Sequence, residues 1–399
     1  MKSQIILKPG KEKSIKLGHP WIFSGAIQRA QNAEQAGATV DVCDHKGQFL
    51  ARAYYNSKSS LAARIFSRQP GQELDQAFLE RQIRAALARR PALRPGVQTM
   101  HRVVASEADF LPGLIVDQYA GHLVFQILTA GMELQREAIL ETLKKIFDPE
   151  VLIERSDEAI RSKEGLSERK EILIGRPEDV RTVGHENGMA LTVDCWEGHK
   201  TGFYLDQRLA RQLVESYAQG AEVLNCFSYT GGFSIAAKRG GARRVISVDE
   251  SKAALDILAG NWQQNPGNDD CQMENVRADV FAYLRQLREQ GARFDLIVMD
   301  PPKFVSDRAH IDRACRGYKD LNLLAMQLLR EGGLLATFSC SGLISRDLFQ
   351  KVVFGASVDA GVDMQILHQL SQADDHPLLL SFPESLYLKG LLGRKVSLS

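Results

Sequence analysis

Apolar and polar residues alternate with a period of two through the opening of the chain. The runs "SQIIL", "PWIFSGAI", "TVDVCDHKGQFLARAYY" and "LAARIF" are strand-like and are separated by Gly and Pro. They predict a small β-rich domain over residues 1–71. The period then changes: "ELDQAFLERQIRAALARR" carries its apolar residues at helical spacing, and "PALRPG" ends the pattern because proline cannot continue a helix. Strand-like runs at "HRVVAS", "GLIVDQYAG" and "HLVFQILT", a helix through "LQREAILETLKKIF" and a strand at "VLIERSD" predict a small central α/β unit over 72–183. Its last part, 161–183, is charged and carries little periodic signal apart from "EILIG".

From residue 184 onward apolar strands alternate with amphipathic helices, through "EVLNCFSYTGGFSIAAKRG", "RVISVDESKAALDILAGNWQQN", "FDLIVMDPPKF" and "YKDLNLLAMQLLREGGLLATFSCSG". This is the pattern of a doubly wound, Rossmann-like parallel sheet, which binds ligands at the C-terminal ends of its strands.

A chain of 399 residues exceeds a single ordinary core, so several domains fit its length. With 50 Lys and Arg against 49 Asp and Glu, the net charge of +1 provides no global field, and a polyanion would have to meet a local patch. The six cysteines stand apart, with no CxxC and no Cys/His cluster at metal-ligand spacing, which points to a reducing cytoplasm and to no metal. No apolar run reaches the roughly 18 residues of a membrane-spanning helix, so no membrane association is expected.

The candidate chemistry lies at the strand ends. In "VLNCFSYTGGFS", Gly231 and Gly232 let backbone approach a ligand at a helix N-terminus, although the stretch is not GxGxxG. Asp249 follows about 20 residues later, where a carboxylate can accept hydrogen bonds from a ribose diol; the alternative is a helix cap. Asp279 has the same two readings, with the adenine amino group as its partner. Asp300 ends a very apolar strand and is followed by two prolines, a stiff turn that holds an acid at the mouth of the sheet. Cys340, in "TFSCSG", ends the strand after that.

Taken together, "HPWIFSGAI", "DFLPGLIVDQYAG", "GHKTGFYLDQR", "NCFSYTGGFS", "DPPKF" and "FSCSG" resemble the large-subunit (23S) ribosomal RNA cytosine-5 methyltransferase I family over nearly the whole chain. The resemblance implies a PUA-like RNA-binding domain (1–71), a small central α+β domain (72–183) and a Rossmann-like S-adenosylmethionine-dependent methyltransferase domain (184–399). It implies S-adenosylmethionine contacts from Asn225, Cys226, Phe227, Ser228, Thr230, Gly231 and Gly232, from Asp249 with Ser251, and from Asp279 with Val280. Asp300 with Pro301 completes that set, and Tyr204, Asp206, Gln207 and Arg208 close over the methionine end. Cys340 would be the nucleophile and Asp300 a contact to the cytosine. The expected partner is large-subunit rRNA, protein-free or in an early assembly particle, met in the cytoplasm by a monomer or a homodimer.

C5 of cytosine is a poor nucleophile until a thiolate adds at C6, which is why this chemistry needs a cysteine. Cys226 is the rival thiol, but it lies in the cofactor turn. A second cysteine just after the prolines is absent, since that place reads "DPPKF", so the group that removes the C5 proton stays open.

For RNA, Lys8, Lys11, Lys13 and Lys16 cluster beside Trp21 and Phe23, and Lys303 follows the prolines; cations interleaved with aromatics can meet phosphates and stack on bases. Arg89, Arg90 and Arg94 at a helix end are further candidates. Glu107, Asp109 and Asp117 read as a polar turn of a hairpin. The competing functions are methyl transfer to a ring or exocyclic nitrogen of guanine or adenine, an NAD(P)-dependent oxidoreductase, and an inactive RNA-binding protein.

Overall fold

The computed structural model describes residues 3–305 and 307–396. The chain divides into two compact units. The first comprises residues 3–184, 193–205 and 374–385, and the second comprises 185–192, 206–373 and 386–396.

The first unit holds two sheets. One has six strands in the order Trp21–Ile22, Ala63–Ser67, Phe49–Tyr55, Ala38–Cys43, Gln4–Leu7, Ile27–Gln31. Its alternating pattern buries Ile5, Leu7, Val40, Val42, Ala51, Ala53 and Ile65 on one side, as a half-buried sheet requires. The other has five strands, Arg169–Ile174, Val151–Ser156, His122–Ile127, Leu114–Tyr119 and Met100–Ala105, covered by helices Gln76–Ala88 and Arg136–Phe147. Asp75 caps the first of these helices by accepting from the Phe78 N–H at 2.8 Å. The weakly periodic segment after 160 is more ordered than its pattern predicts: it contains helix Ile160–Lys163 and strands Arg169–Ile174 and Arg181–Glu186. Arg169–Ile174 is an edge strand whose residues are mostly half-buried, so no apolar alternation marks it.

The second unit carries a seven-stranded sheet: β1 (Glu222–Cys226), β2 (Arg244–Asp249), β3 (Gln272–Arg277), β4 (Phe294–Met299), β5 (Leu329–Ser339), β6 (Asp363–Leu370) and β7 (Lys389–Val396), in the order β3-β2-β1-β4-β5-β7-β6. Its helices are α1 (Arg208–Tyr217), α2 (Gly232–Arg239), α3 (Lys252–Gln264), α4 (Val280–Glu289), α5 (Ile311–Leu328) and α6 (Arg346–Ala360). The first five strands are parallel, and β7 runs against both β5 and β6. The sheet is therefore not parallel throughout: after a connection over 371–388 that carries no α-helix, the last strand inserts antiparallel between β5 and β6. Leu224, Ile246, Ile297, Leu335, Tyr318, Leu321 and Phe349 form its core, and burial on both faces explains why the central strands read as unbroken apolar runs. The strand order reverses between β1 and β4, and such a sheet opens a ligand crevice at the C-terminal end of that pair.

Candidate functional site

The turn after β1 is built from unusual backbone. Phe227, Tyr229 and Gly231 lie at φ of +59°, +48° and +88°, and a Cβ on Gly231 would stand 2.4 Å from Leu258 Cγ of α3. Side chains rarely adopt this region, so the turn holds strain that the surrounding structure must fix. Asp249 supplies part of that support: it accepts from the Tyr229 N–H at 2.8 Å through Oδ2 and from the Ser251 N–H at 2.9 Å through Oδ1. The cap of α3 is Ser251, whose hydroxyl accepts from the Ala254 N–H. Asp249 thus joins the glycine turn to the entry of α3, and the capping role falls to its neighbour. Asn225 donates to Ser234 Oγ at 2.8 Å, and Ser234 in turn meets Ser247 Oγ, tying β1 to α2 and β2 inside the core.

Asp279 caps α4 by accepting from the Ala282 N–H at 2.8 Å and is otherwise exposed, while Val280 starts that helix as a buried residue. One of its oxygens is committed to the cap.

Asp300 and Pro301 follow β4. Asp300 keeps part of its surface open, but the carboxyl is its enclosed end, and burial pushes it up to about 7. The negative charge of Asp206 acts in the same direction, while Arg211 and the hydrogen bond from Gln207 Nε2 at 3.0 Å oppose it. Asp206 itself accepts from the Tyr387 hydroxyl at 2.6 Å. Buried Arg208 opens α1, whose Arg211 is fixed by a two-point pair with buried Glu186. Asp206, Gln207 and Asp300 therefore share one site. Tyr204 belongs to the first unit, where its hydroxyl meets His199 Nδ1 at 3.1 Å.

None of the six cysteines is in a disulfide. Cys226 is fully buried and its thiol is pushed far up by that burial; Cys195 behaves alike, and burial also raises Cys271 and Cys315. Cys340 is partly exposed just beyond β5, between Ser339, whose hydroxyl donates to the Tyr318 hydroxyl at 3.0 Å, and buried Ser341. A buried neutral thiol is inert, so Cys226 suits packing and Cys340 suits chemistry.

Several buried side-chain oxygens on these loops lack a hydrogen-bond partner among the described residues: Asn225 Oδ1, Ser228 Oγ, Thr230 Oγ1, Asp206 Oδ1 and Gln207 Oε1. Buried polar atoms are normally paired, so these oxygens, at the end of β1 with its turn and in the turn before α1, are available to a polar ligand. Two residues near Cys340 escaped the sequence reading, Tyr387 and Lys389. The only signal for Lys389 was a lysine beginning an apolar strand.

In the first unit, Lys11, Trp21 and Phe23 line one cavity of about 390 Å³. Phe23 is 52% exposed, while Trp21 is half-buried with its indole N–H donated to Glu107 at 2.8 Å and Arg64 over its ring. Lys8, Lys11, Lys13 and Lys16 are exposed; Lys8 reaches the Gly25 carbonyl. Lys303, in the second unit, is exposed in the loop after the prolines. Arg90 is not a surface cation: it is buried and paired with Asp109, which also binds Arg89. The acidic cluster is likewise occupied internally, with Glu107 on Arg64 and Asp117 on Arg102.

Residues 5–68 match the PUA-like domain family, and residues 162–356 match the S-adenosylmethionine-dependent methyltransferase family. A ribosomal RNA large subunit methyltransferase I from Erwinia tasmaniensis is 46% identical over 99% of this chain and 100% of its own length. One of the same name from Escherichia coli O157:H7 is 45% identical over 99% and 100%. The chain belongs to the ribosomal RNA large subunit methyltransferase I family. Among solved structures, a proposed SAM-dependent methyltransferase from Streptococcus mutans shares the fold, with a TM-score of 0.83 and 22% identity over 98% of this chain and 99% of that one. No helix among the described residues is long and apolar enough to cross a membrane.

The cofactor of this methyltransferase family member is S-adenosylmethionine. The unpartnered oxygens fit a zwitterionic, ribose-bearing ligand, which can donate to them from its ammonium and hydroxyl groups. Because Gly231 has no room for a Cβ and sits at positive φ, Gly231→Ala is expected to weaken S-adenosylmethionine binding by at least about tenfold in calorimetry. Unchanged affinity would remove the turn from the cofactor site.

Proposed function

We propose that this protein transfers a methyl group from S-adenosylmethionine to C5 of a cytosine in large-subunit rRNA, with Cys340 adding to C6 of the base. The observation that carries the reading is a partly exposed thiol just beyond β5, on the sheet whose neighbouring strand β4 is followed by Asp300 and whose β1 end and turn carry three of the unpartnered oxygens. The names of the relatives supply the rRNA substrate.

The Asn225–Gly232 turn, Asp249, Asp206 and Gln207 would hold the cofactor, which when bound supplies an electrophilic methyl group on a sulfonium. Cys340 adds through sulfur to C6, and the C5=C6 electron pair becomes the nucleophile at C5. C5 would take the methyl group, whose old bonding pair stays on the donor sulfur; the C5 proton would then pass to a base or to solvent, its bonding pair restoring C5=C6 as the S–C6 pair returns to Cys340 as thiolate. Asp300, holding a proton up to about 7, can donate to or accept from the cytosine edge. The base must leave its stack for this, and the exposed lysines of the PUA-like domain with Trp21 and Phe23 would contribute phosphate contacts and stacking to RNA binding. The reaction takes place in the cytoplasm, where the RNA is available.

The test uses rRNA carrying tritium at C5 of cytidine, prepared from a strain lacking the enzyme. Methyl transfer to C5 releases one tritium to water per methyl group gained. Methylation without release would assign the reaction to a nitrogen.

A further inference from the structure

Lys389 begins β7 and is 2% exposed. Its Cα lies opposite Ser339 in the β5/β7 register, and its ammonium donates to the carbonyl of Ser341 and to that of Tyr387, the latter at 2.7 Å. The backbone of Lys389 thus pairs with the residue before Cys340, and its side chain holds the carbonyl of the residue after it. Among the described residues it makes no salt bridge to a carboxylate, so two neutral carbonyls offset the burial of its charge. A buried ammonium with this surrounding is costly unless a negative charge forms beside it.

We propose that Lys389 is a positioning residue for Cys340: its ammonium stabilises the thiolate and holds the Ser339–Ser341 turn that presents it. The proposal rests on the reading of Cys340 as nucleophile. Burial holds the Lys389 amine down to about 8, a negative charge on Cys340 raises it, and Arg346 of α6 lowers it. The other titratable groups near the pair are Tyr318 of α5, pushed up to about 12 chiefly by burial and so neutral, and Asp300, whose charge also acts on Tyr318. Lys389 is therefore a cation acting on the thiol below about pH 8. When Cys340 ionises, its proton goes to solvent; when it adds, the sulfur pair forms the S–C6 bond. The ammonium keeps its protons and acts by charge alone. As pH rises through about 8 the lysine loses that charge and its effect fades.

The experiment measures carbamidomethylation of Cys340 by iodoacetamide against pH, read at that residue by mass spectrometry, on the full chain without RNA. In the wild type the midpoint should lie at least about one unit below the ~8.5 of an ordinary thiol. Lys389→Met should return it to that value or above, and Lys389→Arg should keep it low. Methylation by Lys389→Met should fall about 10- to 100-fold at pH 7, with the deficit shrinking toward pH 9 as the thiol ionises unaided. An ordinary midpoint in the wild type overturns the proposal whether or not the variants fold, as does an unmoved midpoint in Lys389→Met. If Lys389→Met moves the midpoint while Cys340→Ser retains full methylation, the nucleophile reading fails and the coupling stands. If Cys340→Ser is inactive and the midpoint does not move, only the role of Lys389 fails.

Discussion

Cys340→Ala should lower methyl transfer to rRNA by at least about 10⁴-fold while leaving S-adenosylmethionine affinity within about twofold. The two halves of this expectation have separate causes. Without a thiolate at C6 no enamine forms at C5, and no other side chain supplies one: Cys226 is fully buried with its thiol pushed far up, and Cys315 is held neutral by burial. The groups placed on the cofactor lie on other loops, after β1 and β2 and before α1, so truncating a side chain after β5 leaves them in place. Cys340→Ser should be almost as inactive, because a hydroxyl at neutral pH is a far weaker nucleophile than a thiolate. Cys226→Ala should retain most activity and lose some stability from the vacated core volume. RNA carrying 5-fluorocytidine at the target should trap the wild type as a denaturant-stable adduct, since fluorine cannot leave as the proton does, and should not trap Cys340→Ala. More than a tenth of wild-type activity in Cys340→Ala would sink the nucleophile reading.

The sheet and its site differed in how openly they were written into the chain. The β/α alternation from Glu222 to Ser339 was readable because parallel strands buried on both faces leave unbroken apolar runs, and the helices between them keep a single apolar stripe. The edge strand Arg169–Ile174 and the β6–β7 return were not, since edge strands and antiparallel returns tolerate polar residues that blur the period. Within the site, Asp249 and Asp300 stood out as acids ending apolar strands. What lay beyond sequence were the pairings: Asp249 to the Tyr229 N–H, Gln207 to Asp300, and Lys389 to the turn of Cys340. Each joins residues far apart in the chain through a fold that local pattern does not specify. The same limit applies to Arg90, whose place at a helix end looked exposed until Asp109 was found beside it.

Asp300→Asn should make the protein more stable at pH 8 and nearly inactive. The folded protein holds the Asp300 proton up to about 7, against 3.8 for an unperturbed aspartate. Between those values the native state binds more protons than the unfolded chain, so stability falls as pH rises through the window, and the penalty is complete above about 7. Asparagine has no charge to bury and can still accept from Gln207, so the penalty disappears. Thermal unfolding without cofactor should therefore show Asp300→Asn melting a few degrees above the wild type at pH 8, with the difference closing toward pH 4. Methyl transfer should fall about 100-fold or more, because an amide cannot change protonation state against the cytosine edge. Asp206→Asn offers a control from the other side: removing its charge lets Asp300 ionise at lower pH and should narrow the pH window of the stability penalty without abolishing it. Identical melting of Asp300→Asn and the wild type at every pH would show that the carboxyl is not held protonated, and full activity in Asp300→Asn would remove it from the chemistry. If both expectations hold, the strand end keeps a carboxyl at a cost to the fold because the reaction uses it, which is the trade expected of a catalytic acid set in an apolar strand end.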